Sequence, residues 1–205
     1  MSRLRPLAVL LLAGLLGACS ILPKSPVLSI YRLPASALPE QSAGPRSDWA
    51  LRVNTPYSSQ LLDSTRIAVL PPGDQLNVYQ GVRWSDRAPL LLRDRLIAGF
   101  IDDGRIAAIS SDANRLHADL ELDSDLRVFH SEYQDGRPVA RILLEVRLVQ
   151  SGSLRILASR RFDISQTASD SSVAAVVNAF GQAGDQLTRE LLDWTLARGQ
   201  ASRAP

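Results

Sequence analysis

The sequence predicts an α+β domain, a mainly antiparallel sheet with two helices packed on one face. Three observations carry that prediction. Residues 116–164 hold three long strand-like runs, separated by the turn signals Asp135-Gly136 and Ser151-Gly152-Ser153. Apolar residues recur at helical spacing over about residues 87–103. They do so again over about residues 171–197.

Taken in order, residues 27–33 are apolar and strand-like, with Pro23 and Pro26 before them and Pro34, Pro39 and Pro45 after. Proline fixes φ and removes a donor, so residues 19–26 read as a tether and residues 34–47 as a loop. Residues 50–54, 66–70 and 76–80 follow as short strands, the last two joined by the Pro71-Pro72-Gly73-Asp74 turn. In the first helix Leu92, Leu96, Ile97, Phe100 and Ile101 form the apolar face. Pro89 suits its first turn and Asp102-Asp103-Gly104 stops it. Residues 106–110 read as a strand.

From Leu116 to Leu122 apolar and polar residues alternate strictly, which gives a strand with one wet face that runs on to Val128-Phe129. Residues 139–150 return with Ala140, Ile142, Leu144, Val146 and Leu148 on one side, and residues 154–164 complete the meander. Along the last helix Val173, Val177, Phe180, Gly184, Leu187, Leu191 and Trp194 make an apolar seam, with Ser169 or Asp170 as its cap. The seam packs on the sheet. Its alternative use is a partner helix, and with it a homo-oligomer.

The N-terminus carries a different message. Arg3 and Arg5 precede an apolar run from Leu7 to Leu16, followed by small Gly17-Ala18 and the one cysteine, Cys19. Basic start, short apolar stretch and small residues before a cut are the layout of a secretory signal over residues 1–18. The run is too short to span a membrane, which takes about 20 residues. Leu16-Gly17-Ala18-Cys19 resembles the bacterial lipobox. By that resemblance the chain is cut between Ala18 and Cys19, the thiol takes a diacylglyceryl group and the new N-terminus is acylated, palmitate being the expected label. The other reading is a free thiol in a signal peptide. Three acyl chains would hold the protein durably where one holds only marginally. Ser20, rather than Asp, after the cysteine points to the inner leaflet of the outer membrane.

Charge excludes some partners. The chain has 23 Lys+Arg and 21 Asp+Glu; loss of Arg3 and Arg5 leaves 21 of each in a mature chain of 187 residues. The net charge is therefore no evidence for nucleic acid or anionic lipid as a partner. With Cys19 acylated no disulfide forms.

The chemistry is sparse. His117 and His130 are the only histidines; His117 falls on the polar side of its strand, and zinc needs three or four ligands. No Gly-x-Ser-x-Gly elbow occurs, and the one lysine, Lys24, lies outside any phosphate loop. Asp119, Glu121, Asp123 and Asp125 could take a cation or act as paired carboxylates, but Arg127, Arg141 and Arg147 are placed to neutralise them across the sheet. No catalytic residue, cofactor site or metal site is expected.

One stretch, residues 61–96, resembles the ABC-type transport auxiliary lipoproteins, the PqiC-like partners of MCE-domain lipid transporters. Tyr31-Arg32-Leu33, the Val53 to Pro56 segment and the Tyr79-Gln80-Gly81-Val82-Arg83-Trp84 stretch before the first helix carry the likeness. It covers about residues 27–198 and leaves residues 199–205 as a tail. Pro71-Pro72 and Ser85-Asp86 depart from the pattern. The resemblance implies a non-catalytic accessory subunit, anchored to the periplasmic face of the outer membrane. Its partners would be a periplasmic MCE-domain protein and the ABC permease and ATPase of a lipid transport system. A structural or assembly lipoprotein for an outer-membrane or secretion complex is the alternative, and a lipoprotein hydrolase is a rival with no visible site. Tyr79, Arg83 and Trp84 bring the three commonest interface anchors within six residues. They are the expected partner contact, unless Trp84 covers the start of the first helix instead.

Overall fold

A computed structural model describes residues 28–35, 44–114 and 116–202. In chain order its elements are β1 (Ser29–Tyr31), β2 (Ala50–Val53), β3 (Tyr57–Ser58), β4 (Ala68–Leu70), β5 (Asn77–Val78) and β6 (Val82–Trp84). They continue with α1 (Ala88–Asp103), β7 (Ala108–Ser111), β8 (Leu120–Gln134), β9 (Arg137–Gln150), β10 (Arg155–Thr167) and α2 (Val173–Ala201). The fold is α+β, as expected.

The three long strands β8, β9 and β10 pair antiparallel in sequence order. Asp135 at φ 50° and Gly136 at φ 75° make the tight β8–β9 turn, where both residues must be left-handed. On β9, Ala140, Ile142, Leu144, Val146 and Leu148 are all buried, the face that the alternation predicts. In β8 the register slips between Leu126 and Val128. That bulge changes which side the odd residues face, so Leu122 and Leu126 before it and Phe129 after it all point into the core.

One expectation for this region needs correction: the strand begins at Leu120, and Leu116 and His117 lie exposed ahead of it. The sheet is mainly antiparallel, as expected, and β2, β3 and β4 add short parallel pairings one after another along the same edge of β8. β3 and β6 were not expected at all. Strands of two or three residues are too short to show a period, and their pairing partners come from distant parts of the chain.

In α1, Leu92, Leu96 and Phe100 are buried as predicted, and Gly104 at φ 75° ends the helix with its N–H donating to the Phe100 carbonyl. Ile101 departs from the prediction at 58% exposed, and Arg95 is buried in its stead. α2 is capped by Ser172, whose hydroxyl accepts from the Ala175 N–H at 3.2 Å, rather than by Ser169 or Asp170. Asp170 instead accepts the Ser172 N–H at 2.7 Å.

The α2 seam packs on the sheet. Phe180 stacks on Phe129 of β8 at 4.7 Å, and Trp194 meets Phe162 of β10 edge-on at 6.0 Å. The helix also runs to Ala201, so residues 199–201 belong to the domain and not to a tail. Gly199 is buried directly against the Trp49 ring, which only a residue without a side chain permits. Among the described residues no helix is long and apolar enough to cross a membrane.

Candidate functional site

The expected contact residues separate once folded. β6 is held between β1, which it meets in parallel register, and the Thr65 carbonyl, which accepts from the Trp84 N–H at 2.7 Å. Successive side chains on β6 therefore point to opposite faces. Trp84 turns inward and is 1% exposed, edge-on to Phe129 at 5.9 Å and to Phe180 at 5.5 Å. Its ring joins the sheet to α2. The contact reading of Trp84 is thereby corrected to a core role, because a fully enclosed ring has no face left for a partner. Tyr79 is half-buried; its hydroxyl shares a 2.9 Å hydrogen bond with Ser131, and burial pushes the phenol above its ordinary range. Only Arg83 points freely outward.

Around Arg83 lies a small amphipathic surface. Ile30 is its register partner on β1 and is 56% exposed, while Leu28 is 46% exposed. Tyr31 and Leu33 turn inward against the core, so Leu28, Ile30 and Arg32 share the outer side. Arg66 is exposed next to Thr65 on the far flank of β6. Arg32, Arg66 and Arg83 form no ion pair with any described residue. The acids close by in sequence are occupied: Asp63 accepts twice from the Arg87 side chain and Asp86 accepts the Arg87 N–H.

The open face of the sheet is the opposite case. Arg52 meets Glu121 at 2.5 Å, Arg147 donates to Asp125 at 2.7 Å, Arg127 to Glu145 at 2.9 Å and Arg141 to Asp163 at 2.8 Å. Arg161 also binds Glu145. Of the four acids in this run, Glu121 is paired by Arg52, which the sequence reading missed, and Asp125 by Arg147. Asp119 accepts the Ala50 N–H and Asp123 the Asn54 amide, while Arg127 and Arg141 turn chiefly to Glu145 and Asp163. Burial raises the Glu121 carboxyl, but bonds from Arg52 and Asn54 outweigh it and hold the group below its usual range. The Arg141 fork does the same for Asp163. Carboxylates held this firmly in the charged form, with their lone pairs occupied, are poor general acids.

His130 lies on this face with its Nε2 buried and 3.5 Å from Glu132. Burial lowers its pKa, opposed by Glu132. His117 is exposed beside an open cleft of about 420 Å³ formed with Leu120, Gln150, Gly152 and Leu157. Next to that cleft Leu154, at φ 55°, is 75% exposed, and Ile156 is 55% exposed. Among the described residues no three of His, Cys, Asp or Glu cluster to hold a metal ion. Ala18 and Cys19 lie outside the described residues.

Fold and surface together define an α+β domain with two helices packed against a large sheet. Residues 31–191 match the family described as the ABC-type transport auxiliary lipoprotein component, and the chain belongs to that family. It is 36% identical to a Xanthomonas campestris protein, described under the family DUF330, whose crystal structure superposes with a TM-score of 0.78 over 85% of this chain and 98% of that one. A second solved structure, of an uncharacterised protein, shares the fold at 18% identity, with a TM-score of 0.65 and coverage of 82% and 97%. An uncharacterised protein of Bradyrhizobium diazoefficiens is 30% identical over 149 residues, 72% of this chain and 39% of that protein. The chain therefore spans about two fifths of that relative's length. The family is one of lipoproteins with an accessory role in ABC-type transport.

Proposed function

We propose that this protein is a non-catalytic accessory subunit of an ABC-transporter/MCE-type system that moves lipid between membranes, held by an acylated Cys19 at the periplasmic face of the outer membrane. The observation that carries the reading is the family match over residues 31–191 of a domain preceded by Leu16-Gly17-Ala18-Cys19. The physical chemistry is consistent with it. Ion pairs occupy Glu121, Asp125, Glu145 and Asp163 on the open face, and the large aromatic side chains Trp84, Phe129, Phe162 and Phe180 serve packing. An acylated, near-neutral domain of this kind holds other components in place.

The test is recovery of the assembly from native membranes after mild cross-linking, using an affinity tag on this protein. The expected result is an MCE-domain protein together with an ABC permease and its ATPase. Recovery of an outer-membrane β-barrel or secretion component in their absence would replace this reading with that of an assembly lipoprotein.

A further inference from the structure

We infer that the outward face of β1 and β6, formed by Leu28, Ile30, Arg32, Arg66 and Arg83, lies against the headgroups of the membrane to which the protein is tethered. The inference rests on the lipid-anchor reading and adds an orientation to it. Exposed Leu28 and Ile30, with Arg83 in register with Ile30, Arg32 next along the chain and Arg66 exposed beside Thr65, match the interfacial zone of a bilayer, where aliphatic groups enter the acyl boundary and guanidinium groups meet phosphates. On the open face of the sheet Arg52, Arg127, Arg141, Arg147 and Arg161 are spent on neighbouring carboxylates, although Arg137 and Arg155 at the strand ends are not. Nor are Arg32, Arg66 and Arg83. Asp74, in the β4–β5 turn, and Asp86, which accepts only the Arg87 backbone N–H, are acids of this part of the chain without an arginine side chain as partner.

Position selects the lipid surface over other occupants. Leu28 is nine residues from Cys19, a stretch that reaches at most about 30 Å when fully extended. Along the chain, Leu28 is the described residue nearest the anchor. A surface so tethered meets the headgroups at high effective concentration, and weak contacts suffice to orient it. Leu154 and Ile156 lie at the other end of the long strands. They follow Gln150, which pairs with Leu120, whereas the strand beside this patch, β4, pairs with His130. Ten residues of β8 separate those levels, about 33 Å. That far end would face the periplasm, free for partners.

The experiment uses full-length acylated protein in vesicles of phosphatidylethanolamine and phosphatidylglycerol, some carrying a nitroxide on the headgroup. Cys19 is the only native cysteine, so Ile30→Cys gives a single labelling site, and Leu154→Cys the control. The expected result is that a fluorophore at position 30 loses about half its emission or more to the headgroup nitroxide, and one at 154 almost none. Arg32, Arg66 and Arg83 changed together to Glu should restore emission at position 30. Equal quenching at both positions, or none at 30 in protein whose mass shows the acyl chains, would overturn the orientation and leave the anchor standing. A mass without acyl chains would overturn the anchor, and this inference with it. Shielding of position 30 that requires a protein partner would make the face a protein interface and also refute the proposal.

Discussion

Arg95 of α1 reaches across to α2 and donates to Asp185 at 2.6 Å and to the Gly181 carbonyl at 3.0 Å, with 4% of its side chain exposed. The guanidinium passes over Gly184, where a Cβ would stand at ordinary contact distance, 3.4 Å from Nε. Removing one member of such a pair strands a buried charge. Asp185→Ala should lower unfolding free energy by about 3 kcal/mol, measured by chemical denaturation. Arg95→Met with Asp185→Leu should recover most of that loss, because apolar replacement of both partners removes the desolvation penalty as well.

Trp84 and Arg83 are adjacent in sequence and opposite in role. Trp84→Ala opens the Phe129–Phe180 cluster and should cost about 3–5 kcal/mol. Arg83→Ala touches no described partner, so thermal unfolding should stay within about 0.5 kcal/mol of the parent. A stable Trp84→Ala protein would contradict the core assignment.

Gly199→Ala sets two effects against each other. Alanine is favoured over glycine inside a helix by about 1 kcal/mol. Its Cβ, however, would lie 2.6 Å from the Trp49 ring, itself 1% exposed and hemmed in. Overpacking of a closed core costs about 1–3 kcal/mol. The melting temperature should fall, and a rise would mean that the Trp49 ring gives way freely.

His130 sets the acid limb. Burial lowers its folded pKa below the ordinary 6.5, so the unfolded chain binds the proton more readily. Its contribution to stability is present above about pH 6.5 and is lost as pH falls through the folded value. Glu132 and Arg141 face the same ring and act in opposite directions on it. Glu121, Glu132 and Asp163 are held low in the folded state, so their contribution disappears only below about 4.5. His130→Asn should flatten the stability profile just below pH 6.5 and leave most of the lower limb, set by Glu121, Glu132 and Asp163, in place. Equal slopes for both proteins in that window would disprove the assignment.

For the anchor, Cys19→Ala should abolish incorporation of radioactive palmitate and release the protein from membrane fractions. Ser20→Asp should keep the label but move the protein towards inner-membrane density. Palmitate retained by Cys19→Ala would exclude the lipobox reading.

Periodicity settled the long elements in advance, because burying one face of a helix or strand demands a repeat that the residues display directly. The β9 alternation from Ala140 to Leu148 and the α2 seam from Val177 to Trp194 are of this kind. Asp135-Gly136 was equally legible, since a two-residue turn with two positive φ angles leaves few residue choices. The lipobox likeness and the family pattern were legible too, being written in adjacent residues. What only the tertiary structure decided depends on contacts between distant parts of the chain. β2, β3 and β4 find parallel partners along β8, and Arg95 finds Asp185 across two helices. Arg83 and Trp84 part company because β6 is gripped on both edges, by Tyr31 and its neighbours on one side and Thr65 on the other. A two- or three-residue strand shows no period of its own, so β3 and β6 went unseen, whereas the Pro71 to Asp74 turn helped to mark β4 and β5. A side chain's face is fixed only when its strand's partners are in place.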